Sequence, residues 1–342
     1  MKNIKKLLII IPILTLTTFF TSVKAEIKVV ASIKPIHSLA TYLMEGVAKP
    51  KLIVDGYASP HGFALKPSHA KMLQEADLIF WVGEDLESFL EKPLNTIAKK
   101  AENIELMEIK GLNKLKFRER NIFDGHDDHD HGHKEDKHKE DDHDDHDHKK
   151  KDGHKKDDHD DHDHKKKDGH KEDDHDDHDD HGHKKKDDHD DHEGHHHGEH
   201  DPHIWLYPIN AKVILNDMVE HLIENDPNNA STYKSNLTKA LKDLDKLTLD
   251  VMTELNKSTP SIVFHDAYQY FEERFNVKVL GAFTVNTDVM PGAEQLAEIR
   301  EIIEHDKITC IFSEPQFNPD IINSVAKDMD IKTGVLDPLG AT

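Results

Sequence analysis

The chain has 342 residues, a single cysteine and a formal charge of −23. One thiol cannot form an intrachain disulfide, so stability has to come from a buried core, and a charge of this sign excludes nucleic acid as a partner. The acidity is local: residues 124–200 hold 32 Asp or Glu against 15 Lys, a net of −17, and leave only −6 for the rest.

Residues 1–25 read as a secretory signal peptide. Lys2, Lys5 and Lys6 precede an apolar run from Leu7 to Phe20, and Val23-Lys24-Ala25 follows as a cleavage site. The mature chain is expected to begin at Glu26 and to be exported. No cysteine follows the apolar run, so a lipid anchor has no attachment point.

IKVVASI (27–33) predicts a buried strand, apolar and β-branched without alternation. Pro35 opens a helix carrying Ile36, Leu39, Ala40 and Leu43, and Gly46 ends it. KLIV (51–54) is the next strand. The loop 55–68 is rich in Gly, Pro and Ser, and Ser68 is placed to cap a helix from His69 to Ala76. LIFWVG (78–83) predicts a strand, 86–98 a helix strained by Pro93, and NIELMEI (103–109) a fourth strand. Strands alternating with helices imply a parallel sheet.

Residues 124–200 are low in complexity. DDHDDHDHKKKDGHK starts at Asp141 and again at Asp157, with variants at Asp173 and Asp187. A repeat of this composition offers no apolar surface to offset chain entropy, so disorder is expected. The tract holds 23 of the 30 histidines, interleaved with carboxylates, a pattern suited to several loose sites for borderline metals.

Ordinary sequence resumes at DPHIWLYP (201–208). A helix is expected from Asn210 to Pro227. A long helix then runs from Ala230 to Asn256, with Tyr233, Leu237, Leu241, Leu244, Leu247, Val251 and Leu255 on one stripe. Strands follow at 261–266, 278–283, 308–314 and 331–337, with helices ending at Phe275 and spanning 293–305 and 319–329. The expected fold is α/β: two lobes, each a parallel sheet flanked by helices, joined by one long rigid helix, with a disordered His/Asp-rich insertion in the first lobe. The boundaries are 1–25 signal peptide, 26–228 N-terminal lobe containing 124–200, 229–257 linking helix and 258–342 C-terminal lobe.

Three histidines share one situation. His61 lies in a loop after a strand, His203 beside an aromatic turn, and His265 at a strand end. Ligands of open α/β sheets sit at the carboxyl ends of strands, and two facing lobes would bring these loops to one cleft. Neutral imidazoles suit zinc, with a fourth position for Asp337 or water. Asp201 and Asp266, adjacent to ligands, are candidates to orient imidazoles. His69, His221 and His305 read as solvated helix-face residues, His37 as structural, and Glu314 as a loop-orienting carboxylate, with a ligand role as the alternative.

SPHGFALKPS around His61, DPHIWLYP around His203, FHDAYQYFEERF around His265, FSEPQF at Ser313 and LDPLG at Asp337 together resemble the zinc-binding solute-binding proteins of ABC importers, the ZnuA family. The resemblance covers Ile27 to Gly340 outside the tract. It implies a periplasmic, non-catalytic receptor that carries Zn(II) as transported ligand to a membrane permease with its cytoplasmic ATPase, with His61, His203 and His265 as ligands, and it is expected to work as a monomer. Two departures stand out. Pro60 occupies the place of a Glu found in some members. The chain also stops at Thr342, where members commonly continue into a final helix, sometimes with a cysteine that pairs with the one matching Cys310, which implies a truncated second lobe. The competing readings are a zinc-dependent hydrolase and a histidine-rich metal-storage protein.

Overall fold

The computed structural model describes residues 26–122, 198–255, 259–287, 289–329 and 331–341. The signal-peptide expectation and nearly all of the His/Asp-rich tract lie outside the described residues.

The first lobe is built on β1 (Val29–Ala31), β2 (Lys51–Leu52), β3 (Leu78–Trp81) and β4 (Glu102–Glu105). They pair in parallel in the order β2-β1-β3-β4. All residues of β1 and β3 are buried, which explains the unalternating apolar runs of central parallel strands. Helices α1 (Lys34–Leu43), α2 (Pro67–Glu75), α3 (Glu84–Thr96) and α4 (Pro208–Asn225) flank this lobe. The strand expected through Ile109 stops at Glu105 and turns into a 3-10 segment, Leu106–Glu108.

Helix α2 starts at Pro67 rather than after Ser68. Its extended N-cap is Lys66, whose N–H donates to Nδ1 of His69 at 3.1 Å. His69 is buried against Phe63, so the solvated position expected for it is corrected: its ring caps the helix. In α3, Glu87 leaves helical geometry and its fully buried carboxylate accepts from the N–H groups of Val82 (2.8 Å) and Gly83 (3.0 Å). Burial pushes that carboxyl up to about 7.

The long helix α5 spans Ala230–Glu254, roughly 37 Å at 1.5 Å per residue. It packs along α4 and α1, and Asn236 Nδ2 donates to the carbonyls of Leu43 and Glu45, both at 2.9 Å. The predicted stripe holds for Tyr233, Leu237, Leu241 and Leu244, which join the first core. It fails at Leu247, which is 55% exposed, because the second half of the helix runs beyond that core.

The second lobe holds β5 (Ser261–His265), α6 (Gln269–Phe275), β6 (Val279–Thr284), α7 (Ala293–His305), β7 (Cys310–Ser313), α8 (Asp320–Met329) and β8 (Lys332–Val335). Its parallel sheet runs β6-β5-β7-β8, the same order as the first. Phe264, Phe283, Ile299, Ile311 and Ile322 centre its core.

A second connection crosses between the sheets besides α5. Residues 113–122 leave the first lobe and end on β6: the carbonyl of Asn121 accepts from Ala282 N–H at 2.8 Å, and its Nδ2 donates to the carbonyls of Ala282 and Phe283. The returning chain pairs with this strap, Asp201 N–H donating to Leu115 O at 2.8 Å and Phe117 N–H to Glu199 O at 3.3 Å. The strap runs over Gly281, where a Cβ would stand 2.7 Å from the Asn121 carbonyl oxygen. Gly281→Ala should therefore cost about 1–3 kcal/mol, the range for overpacking a rigid contact, and denaturant titration would measure it.

Candidate metal centre

Each of the three histidines reaches the centre by a different local device. His61 lies in the loop after β2, and Ser59 Oγ accepts from its backbone N–H at 3.3 Å. His203 precedes the 3-10 turn Ile204–Leu206, and Trp205 beside it donates from Nε1 to the carbonyl of Pro338 at 2.8 Å, tying that turn to the second lobe. His265 is the last residue of β5. His61 and His265 thus come from carboxyl ends of strands in opposite sheets, the place an open α/β sheet offers a ligand.

Their ring centroids lie 5.5 Å (His61 to His203), 5.2 Å (His61 to His265) and 4.9 Å (His203 to His265) apart. One ring nitrogen from each falls within 4.8 Å of the others. His203 and His265 are buried and His61 nearly so. Between them is a small cavity of about 10 Å³, lined also by Glu314, Gln316 and Phe317, with room for one water-sized or ion-sized guest.

Two rings are fixed from behind. His203 Nδ1 meets Asp201 Oδ1 at 2.6 Å, and the same oxygen accepts the His203 backbone N–H at 2.9 Å. His265 Nδ1 meets Glu314 Oε2 at 3.2 Å. A carboxylate at Nδ1 holds the proton there and leaves Nε2 with a lone pair, which is how proteins orient metal-binding imidazoles. Nε2 of His61, Nε2 of His265, Oε1 of Glu314 and Oε1 of Gln316 are all buried without a hydrogen-bond partner among the described residues. Four such atoms around one cavity are far from the usual near-complete pairing of buried polar groups.

The electrostatics follow from the burial. Burial first, and repulsion from His265 second, hold His61 and His203 well below the usual imidazole range; His203 adds to the repulsion on His61. Burial acts against charge on His265 too, but Glu314, with Asp266 and Asp201, turns its net shift upward. Burial raises Asp201 to about 7 and Asp266 to about 6, opposed in both cases by His265 and Arg118. In the metal-free protein at pH 6, His61 and His203 should therefore be uncharged, and His265 should titrate at a higher pH than either. Long-range proton–nitrogen NMR of the rings would check this order. The depressed pair destabilises the fold as pH falls below 6.5, because the unfolded rings take up protons the folded ones refuse. His265 opposes this, its contribution being complete below 6.5 and lost as pH rises through its raised value.

Asp337, expected as a fourth ligand, stands outside the group: its Oδ1 accepts from Gln316 Nε2 at 3.0 Å and from Leu339 N–H at 3.3 Å. Asp266, a candidate to orient an imidazole, receives Arg118 at Oδ1, and the carboxylate that meets His265 is that of Glu314. A second group, Glu102, His221 and Glu224, lies on β4 and α4. There His221 Nδ1 meets Glu102 at 2.8 Å, so His221 is half-buried and bonded rather than solvated.

A family model described as "Zinc-uptake complex component A periplasmic" matches residues 29–342. The chain belongs to this ZnuA family. A relative from Brucella abortus, named High-affinity zinc uptake system protein ZnuA, is 44% identical over 315 residues, covering 92% of this chain and 84% of its own. One of the same name from Yersinia pestis is 33% identical, covering 93% and 84%. Among solved structures, the crystal structure of ZnuA superposes with a TM-score of 0.65 at 19% identity over 93% of each chain, a likeness of fold.

Within this ZnuA-family chain, the sequence marks Glu314 as a candidate but not its partner, because His265 lies 49 positions away. Arg118 carried no signal at all: it stands in an irregular charged stretch, and its acidic partners are about 150 residues downstream.

Proposed function

We propose that the chain is the zinc receptor of an ABC importer. It is exported to the periplasm, binds Zn(II) tightly as cargo and hands it to a membrane permease driven by a cytoplasmic ATPase, working as a monomer without a catalytic role. The ligands are His61, His203 and His265, with water as the fourth; Oδ1 of Asp337, the other candidate for that place, hydrogen-bonds Gln316 and Leu339. The observation that carries this reading is the small cavity ringed by three imidazoles and buried, unpartnered polar atoms. A nitrogen-only donor set suits zinc over the oxygen-seeking magnesium and calcium ions. The buried carboxylates of Asp201 and Glu314 supply negative charge that a dication would balance.

Against a hydrolase stands the narrowness of the space among the three rings, about 10 Å³. The names of the curated relatives point the same way. No helix among the described residues is long and apolar enough to cross a membrane.

Zinc titration of the purified chain against a competing chelator tests the reading. One tight equivalent per chain is expected, both in the full chain and in a variant lacking residues 126–196. Near-complete loss of zinc in the shortened variant would mean a storage protein instead. Hydrolysis of ester or phosphoester substrates by the zinc-loaded protein would revive the hydrolase.

A further inference from the structure

We infer that Arg118 is a positioning residue for the cleft histidines, acting through the turn that follows β5; this rests on the zinc-receptor reading above. Its guanidinium donates to Asp266 Oδ1 at 2.9 Å and, as a two-pronged fork, to both carboxylate oxygens of Glu272 at 3.0 and 2.8 Å. Asp266 is the residue after His265, and Glu272 lies in α6. One side chain from the strap therefore staples the end of β5 to the helix after it and fixes the turn on which His265 leaves the sheet. The side chains of Asp266 and Glu272 are only 5% and 9% exposed, so water cannot replace the arginine.

The same strap serves a second ligand. Leu115, three residues before Arg118, accepts the backbone N–H of Asp201 at 2.8 Å and donates its own to Tyr270 Oη at 3.1 Å, while Tyr270 Oη donates to the Asp201 carbonyl at 2.8 Å. Asp201 is the carboxylate that orients His203. Arg118 thus anchors a segment that supports two of the three imidazoles without touching the cavity. A fork that binds two carboxylates at once demands arginine, because a lysine ammonium is a point charge without that planar geometry.

The test uses full-length protein carrying Arg118→Lys, Arg118→Met or Asp266→Asn. Three readouts are taken: thermal stability without zinc, the dissociation constant of the tight zinc equivalent by chelator competition, and the visible d–d spectrum of the complex with one equivalent of Co(II). R118M should weaken zinc about 10-fold or more, as loss of support behind a metal ligand does. R118K keeps the charge and loses the fork, so it should fall between R118M and the native protein. Both should alter the Co(II) bands. R118M combined with D266N should be no weaker than the worse single variant, because both break one route.

If R118M does not fold by circular dichroism, R118K carries the test, with a loss of about threefold or more expected. Native affinity and native Co(II) bands in the folded variants, whatever their melting temperatures, would overturn the inference, as would tighter binding in R118M, the mark of a purely electrostatic role. Fully additive losses in the double variant would overturn the route through Asp266. Absence of any tight equivalent in the native chain would bring down the receptor reading and this inference together, whereas a native tight site with unaffected variants removes only the role of Arg118.

Discussion

The full-length chain with alanine at His61, His203 and His265 should hold no zinc against a chelator that the native protein outcompetes, and alanine at His203 alone should weaken binding by more than about 100-fold. That figure exceeds the 10- to 100-fold penalty for losing a supporting residue, because a ligand atom itself is removed. His203 is the instructive single change. Its ring is locked at Nδ1 by Asp201 at 2.6 Å and lies 5.3 Å from Trp205, so the pocket cannot recruit a substitute without rebuilding the turn. The variant also strands Asp201, a carboxylate 1% exposed, beside an empty space. Competition titration with a colorimetric chelator reads the effect, and native-like binding in the triple variant would show that the tight site lies elsewhere. Zinc at 1,000 times its dissociation constant should stabilise the native fold by about 4 kcal/mol, and this gain should vanish in the triple variant.

Tyr270→Ala should destabilise the protein by about 3–5 kcal/mol, the range for truncating a large buried aromatic. Tyr270 belongs to α6, yet its fully buried side chain is part of the first lobe's core. Its hydroxyl bridges Leu115 N–H and the Asp201 carbonyl. The alanine variant therefore opens a cavity at the junction and leaves the part-buried Leu115 N–H and the buried Asp201 carbonyl without this partner. Tyr270→Phe isolates the second effect and should cost about 1–3 kcal/mol. Denaturant unfolding distinguishes the two. If Y270F matched the native protein, the hydroxyl bridge would carry no weight and the junction would rest on packing alone.

The alternation of buried strands and helices was legible because hydrophobic periodicity is a local property: LIFW at β3 is apolar and buried throughout, and VLGAFT at β6 is buried throughout and polar only at Thr284. His61, His203 and His265 were legible because each stands in a distinctive run, next to Pro60, Pro202 and the end of an apolar strand respectively. The errors share one cause. Placing His69 in solvent and extending the α5 stripe to Leu247 both assume that helical spacing alone says which face is covered. His69 is covered by the loop residue Phe63, and Leu247 lies where the first core has ended.

What the amino-acid sequence determined by itself is the inventory: two α/β halves, three placed histidines outside the tract, and a charge imbalance confined to residues 124–200. What only the tertiary structure decided is which groups meet. Glu314 rather than Asp266 meets His265 at Nδ1, Asp337 accepts from Gln316, and the strap carrying Arg118 crosses to the second sheet. Hydrophobic patterning is repeated over many neighbouring residues and survives in any short window. A hydrogen bond between side chains 49 or 148 positions apart depends on where two folded lobes come to rest, and no local pattern encodes that.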